Sequence, residues 1–423
     1  MRTTKKLVFG LLLASFLVFL PLAHAAEDNG RYFVKSTKGF WKSALGVRHV
    51  FDNGFTTDAS DFQLRLAKVF GVEIEPVQIL AILPDETLAS PSPSTLETPA
   101  PEQTKMPAPK SIKGKNGTIR YFPSDQTPWG IETIYNNPVI ASTSGGAGIN
   151  VAILDTGVLM SHPDLKSQIG QCNDFTNIRL PFVGGKCDDK NGHGTHVAGI
   201  IAADGGSDGK GIYGVAPQAN LFIYKVCGAN GSCYADDIAA ALYFAADQLA
   251  DQRVNVVNMS FGSDQESSLI RDAIAYAYSK GVLMVAAAGN DGPLQGSIDY
   301  PGANASVVAV GAINQSEAVT KWSSRGINSL TLTQPEVVDE GDIEFAAPGE
   351  YIESTWNNGS YAVLSGTSMA SPFVAGLAAK FWKVGTSATD SLTLTRDFLH
   401  SLIKDLPPGG NDDASGFGLP QVK

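Results

Sequence analysis

Three short segments, far apart in the chain, each set one reactive side chain beside glycine. They read Val151-Ala-Ile-Leu-Asp155-Thr-Gly157, Asn191-Gly-His193-Gly-Thr-His196-Val-Ala-Gly199 and Leu364-Ser-Gly366-Thr-Ser368-Met-Ala-Ser-Pro372. Together they supply a carboxylate, an imidazole and a hydroxyl. An imidazole can take the proton of a serine hydroxyl, and a carboxylate can hold that imidazole in the required tautomer. Each residue alone has a plainer reading: a turn aspartate, a satisfied polar histidine, a helix-capping serine. The three together are what point to nucleophilic attack on a carbonyl.

The local pattern says how each group is placed. Asp155 ends an apolar run and is predicted at the end of a strand, where a carboxylate needs hydrogen bonds to offset burial. Gly192 and Gly194 let the backbone around His193 come close to its neighbours. His196 is expected to turn elsewhere and be structural. After Ser368, the residues Ala370, Phe373, Val374, Leu377, Ala378 and Phe381 make one helical face, so Ser368 is predicted near a helix N-terminus. Unpaired backbone N–H groups there favour a developing oxyanion.

The elements that must carry these groups are α/β in texture. Val151–Leu154, Asn220–Val226, Val254–Met259, Val282–Ala287 and Val307–Val310 read as strands buried on both faces. Ala235–Leu249 and Leu269–Lys280 read as helices between them. Strand and helix in alternation imply a parallel sheet flanked by helices on both faces, with ligands at the carboxyl ends of its strands.

Four units are expected along the 423 residues. Residues 1–25 have the pattern of an export signal: Arg2, Lys5 and Lys6, an apolar run from Leu7 to Leu22, then Ala23-His24-Ala25. The run is short for a bilayer span, which needs about 20 residues, and Pro21 breaks its end. Residues 26–82 form a small α+β unit, with strand-like Arg31–Lys35 and Val72–Glu75 around a helix at Ser60–Phe70. Residues 83–117 hold Pro84, Pro91, Pro93, Pro99, Pro101, Pro107 and Pro109 among Ser, Thr, Glu and Lys, as an extended linker does. Residues 118–423 form the large domain. The net charge of −11, without a basic block, argues against nucleic acid. No membrane association is expected once the signal is removed, and a monomer is expected. Cys172, Cys187, Cys227 and Cys233 are an even set, which in an exported chain implies disulfides. Three connectivities are open; local pairing, Cys172–Cys187 and Cys227–Cys233, is the expectation.

The three segments resemble those of the subtilisin family (subtilases, peptidase family S8) of serine endopeptidases, over roughly residues 118–423. That resemblance implies a subtilisin-like α/β fold and a triad of Asp155, His193 and Ser368. It also implies that Asn290, in Met284-Val-Ala-Ala-Ala-Gly289-Asn290-Asp-Gly292, donates to the oxyanion. Substrate would bind as an added strand between Gly231-Ser232-Cys233 and Ser260-Phe261-Gly262, with Gly289 and Asp299 lining the primary pocket. A carboxylate at Asp299, aided by Asp291, would favour Lys or Arg, against a broad or apolar preference. Residues 26–82 would be a propeptide that helps folding and inhibits the enzyme until removed, with Lys105, Lys110, Lys113 and Lys115 as processing sites. Structural calcium is implied at Asp164, with Asp204 and Asp208 as further ligands; the chemistry itself needs no cofactor. The long Pro-rich linker and the stretch Asn328–Asp342 depart from the family pattern. Competing readings are a catalytically silent fold that binds peptides, and an esterase or amidase, against which the extended groove segments argue.

Overall fold

A computed structural model of the chain describes residues 30–82, 111–113, 119–178, 180–328 and 338–423. The signal-like segment, nearly all of the linker and residues 329–337 of the inserted stretch lie outside the described residues. Within the linker, Ser111–Lys113 pairs antiparallel with Ile119–Tyr121.

Among the described residues, one eight-stranded sheet runs in the order Val183–Gly184, Ile169–Asp174, Asn220–Lys225, Asn150–Asp155, Val256–Met259, Leu283–Ala287, Val307–Ile313, Phe345–Pro348. Every neighbouring pair is parallel except the antiparallel edge at Val183–Gly184. The strands read as unbroken apolar runs because both faces are covered. Val151 and Ile153 pack on the side of the helices His193–Ala202 and Thr367–Lys380. Ala152 and Leu154 point the other way, into the cluster formed by the helices Ala235–Ala246 and Ser268–Ser279. The alternation is that of any strand; only the partners on each side differ.

The small N-terminal unit is an antiparallel sheet in the order Val50–Phe51, Gly54–Thr57, Tyr32–Val34, Ile74–Pro76, with helices Gly39–Leu45 and Asp61–Val69 on it. Its own core is six buried residues, among them Phe55 and Leu64. So small a core is marginal for independent stability. The second face leans on the large domain: Phe33 and Phe51 join the cluster of the Ala235–Ala246 helix. At the start of the Asp61–Val69 helix, Gln63 Oε1 accepts the Ser60 backbone N–H at 3.1 Å, part of a capping box that holds the first turn.

Past this unit the chain does something its sequence did not announce. Ile79–Ile82 leaves the small sheet and becomes the middle strand of a second one, between Ser232–Tyr234 and Phe261–Gly262, antiparallel to both. Both disulfides form as expected, Cys172–Cys187 and Cys227–Cys233.

Candidate active site

Asp155 is the last residue of the central Asn150–Asp155 strand and is fully buried. Its Oδ1 accepts the Thr156 N–H at 2.7 Å, and its two oxygens lie 2.9 and 3.0 Å from His193 Nδ1. With a carboxylate on that side, Nδ1 carries the proton and donates it. His193 opens the His193–Ala202 helix behind Gly192, whose φ of 117° is the conformation that glycine tolerates. Gly194 permits the approach itself, since a Cβ there would stand 2.3 Å from the Gly157 carbonyl oxygen.

Asp189, which the sequence motifs do not single out, holds this corner together. It accepts the Thr156 hydroxyl, the Gly192 N–H, and both the N–H and hydroxyl of Thr195 at 2.6–2.9 Å. Burial pushes its pKa up, but these donors outweigh burial and leave it below the usual carboxylate range. A buried carboxylate therefore ties the start of the His193 helix to the residue after Asp155. No local signal in the sequence sets Asp189 apart from Asp188 beside it, which lies at the surface.

His196 behaves as expected of a structural group. Its Nε2 faces the carbonyl oxygens of Ile352 and Ala362 at 3.0 and 3.2 Å, on the hairpin of Ile352–Thr355 and Tyr361–Leu364. Burial, with the His193 ring nearby, drives its pKa down to about 3, so it is a neutral donor to that hairpin.

Ser368 is the second residue of the Thr367–Lys380 helix and is buried. Its hydroxyl donates to the Ser260 carbonyl oxygen at 2.9 Å, and the Ser260 hydroxyl donates back to the Ser368 carbonyl oxygen at 2.9 Å. Met259 pairs with Leu154 across the sheet, so Ser260, one residue on, stands beside Asp155 at the same carboxyl edge. Asn290 sits over the same helix start. Its Oδ1 accepts the N–H and hydroxyl of Thr367, each at 3.0 Å, which turns the Nδ2 end the other way. A Cβ at Gly366 would lie 3.3 Å from Asn290 Nδ2 and 3.7 Å from the Ser368 nitrogen, so both N–H donors border one small space.

The expected groove segments face each other across Ile79–Ile82. Ser232, Cys233 and Tyr234 oppose Ala81, Leu80 and Ile79; Phe261 and Gly262 oppose Ile82 and Ala81. The Ile82 N–H donates to the Gly231 carbonyl oxygen at 2.9 Å. Asp299 is 2% exposed and lies against two of these walls: a Cβ at Gly262 or at Gly289 would stand 2.7 or 2.8 Å from its Oδ2.

Of the three aspartates read for calcium, Asp164 and Asp204 stand side by side, the Asp204 N–H donating to the Asp164 carbonyl oxygen at 3.0 Å. Asp164 is buried and accepts the Ile212 N–H and the Tyr361 hydroxyl at 3.0 and 2.6 Å. Asp204 accepts Ser167, Gln168 and the Gly206 N–H. Asp208 accepts the Lys210 N–H at 3.2 Å. Each of the three thus accepts protein donors, and among the described residues their carboxylates do not form one cluster of metal-ligand spacing.

Residues 146–418 match the subtilase family model. The chain belongs to that family and is a serine endopeptidase. A subtilisin of Bacillus sp. (strain TA39) is 51% identical over 71% of this chain and 73% of its own length. An intracellular serine protease of Paenibacillus polymyxa is 35% identical over 70% of this chain and 85% of its own. Among solved structures, the S41 psychrophilic protease and Sphericase each superpose with a TM-score of 0.66 at 49% identity, covering 71% of this chain and 99% of theirs.

Proposed function

We propose that this chain is an exported zymogen whose large domain cleaves peptide bonds through Ser368, His193 and Asp155. The observation that carries the reading is the buried His193 Nδ1–Asp155 contact at 2.9 Å, at the same sheet edge as Ser368. A donating Nδ1 makes Nε2 the basic nitrogen. Turning Ser368 Oγ from the Ser260 carbonyl towards His193 lets Nε2 take its proton as Oγ attacks the scissile carbon. The imidazolium is stabilised by Asp155, and the oxyanion by Asn290 Nδ2 and the Ser368 N–H. Collapse breaks the C–N bond, His193 gives its proton to the leaving amine, and water then releases the acyl group by the same steps in reverse. A fluorophosphonate probe should label Ser368 in the processed protein; processed protein that resists the probe rejects this reading.

Asn290→Ala is expected to lower kcat about 10²–10³-fold with little change in KM, a magnitude carried over from subtilisin's own donor of this kind. A variant that instead raises KM at constant kcat would make Asn290 a ground-state contact.

Residues 26–82 act first as inhibitor, because Ile79–Ile82 fills the slot a substrate strand needs. Arg31, Arg48 and His49 fix the unit in place. Arg31 reaches Asp236 and Asp237 at 3.1 and 2.8 Å and lies 3.5 Å over the Tyr234 ring. Arg48 and His49 reach Asp237 at 3.2 and 3.0 Å. Export is supported by the charged and apolar N-terminus and by two disulfides, which are rare in reducing compartments.

The Cys227–Cys233 bridge closes the loop that carries Gly231 and Ser232, so it stiffens one rim of the groove. Selective reduction should raise KM for peptides before the fold is lost. Unchanged Michaelis behaviour in reduced protein with a native circular dichroism spectrum would refute this.

A further inference from the structure

One nearly buried carboxyl group lacks a donor from the protein. Asp299 is 2% exposed, and among the described residues nothing donates to or ion-pairs with its carboxylate. Its charged neighbours carry its own sign: one carboxylate oxygen each of Asp264, Asp291 and Asp299 lies within 4.8 Å of the others. Burial, then Asp291 and Asp264, push the pKa of Asp299 up to about 7. An acid so enclosed, with only acidic charged neighbours, is unfavourable. Asp155, Asp189 and Asp164 are equally buried, yet each is satisfied by donors of the protein itself. Asp299 differs, and its place accounts for the difference. It rests against Gly262, which pairs with the groove strand, and against Gly289, beside Asn290. A substrate continued one residue beyond the place of Ile82 would stand opposite Ser260, whose carbonyl oxygen holds Ser368 Oγ. The side chain of that residue is the one this wall meets.

We propose that Asp299, with Asp264 and Asp291 at the mouth, selects the residue before the cleaved bond, and that the enzyme prefers Lys or Arg there. The inference rests on the groove and triad proposed above. The substrate brings the missing cation: an ammonium or guanidinium group enters between Gly262 and Gly289 and supplies the donors the carboxylate lacks. Leu or Phe in the same place leaves the acid unpaired. The linker lysines Lys105, Lys110, Lys113 and Lys115 then become suitable self-processing sites, whereas the groove strand Ile79-Leu-Ala-Ile82 offers no basic residue.

The test compares peptides that differ only before the cleaved bond, using the processed enzyme. At pH 9 the kcat/KM for Lys or Arg should exceed that for Leu or Phe by at least tenfold. The ratio should fall as the pH drops through about 7, where Asp299 takes up a proton. The charges acting on that proton are those of Asp291 and Asp264, and both favour its uptake. Asp299→Asn should collapse the ratio at least tenfold at pH 9; the ratio, not the rate, is the readout. Should that variant fail to fold, the pH profile of the wild type decides. Equal cleavage after Lys and Leu overturns the inference, as does a ratio indifferent to Asp299→Asn. So does basic selectivity that appears only when a chelator strips the enzyme, since a divalent cation would then be the ligand of the three carboxylates. Labelling of Ser368 by a fluorophosphonate separates the two failures. Labelled enzyme without basic preference sinks this inference alone, and unlabelled protein sinks the triad.

Discussion

Alanine in place of Ser368 should lower peptide hydrolysis about a million-fold, the scale known for the nucleophile of subtilisin itself. It should also leave the N-terminal unit attached. The protein recovered would begin near the end of the signal-like segment, with Ile79–Ile82 still between Ser232–Tyr234 and Phe261–Gly262. N-terminal sequencing beside the wild type reads both effects at once. A mature N-terminus in the alanine variant, produced in a host free of other proteases, would show that another enzyme makes the cut. Retained hydrolysis would remove Ser368 from the chemistry altogether.

Arg48→Ala should weaken inhibition of the processed enzyme by its own prodomain about 10²–10³-fold. The reason is desolvation. The side chains of Asp236 and Asp237 are fully buried at the start of the Ala235–Ala246 helix, and that of Arg48 is 2% exposed. Breaking a buried ion pair from one side costs about 3–5 kcal/mol, because the remaining charge stays out of water. Arg31 and His49 still face Asp237 and retain part of that, which places the loss at the lower end or below. The start of the Ala235–Ala246 helix, where both carboxylates sit, also favours negative charge. Inhibition constants for wild-type and variant prodomain, measured on the same enzyme, check the prediction. Asp237→Asn on the enzyme side should produce a similar loss, and the two should not add. Full additivity would mean that the contact contributes little and that the Ile79–Ile82 strand alone supplies affinity.

Much of this arrangement was legible before any coordinates. The strands of the large sheet announced themselves because both faces are covered, so Val151 through Leu154 had no polar break to hide them. Asp155, His193, Ser368 and Asn290 were visible because close approach of backbone to side chain demands glycine at fixed neighbours, and Gly192, Gly194, Gly289 and Gly366 mark those places. What stayed hidden depends on contacts distant in sequence. Nothing local distinguishes Asp189 from its neighbour Asp188; only the fold buries one under Thr156 and Thr195 and leaves the other at the surface. The bond from the Tyr361 hydroxyl to Asp164, 197 residues away, has no local signal either. The groove strand Ile79–Ile82 is a run of four apolar residues with no polar alternation to mark it, and both of its neighbours come from the large domain.

On the function proposed above, that strand also sets what the processed enzyme would digest. Once it departs, Ser232–Tyr234 and Phe261–Gly262 are left as two parallel rails with bare amides and carbonyls, spaced to grip a single polypeptide thread from both sides. A helix cannot enter, having spent its backbone donors internally, and a sheet would have to surrender one of its own strands first. Compact proteins should therefore survive until heat, cold or reduction frays a loop several residues long, while denatured chains are consumed at once. Digestion by this enzyme is, in effect, an assay of local unfolding in whatever it meets.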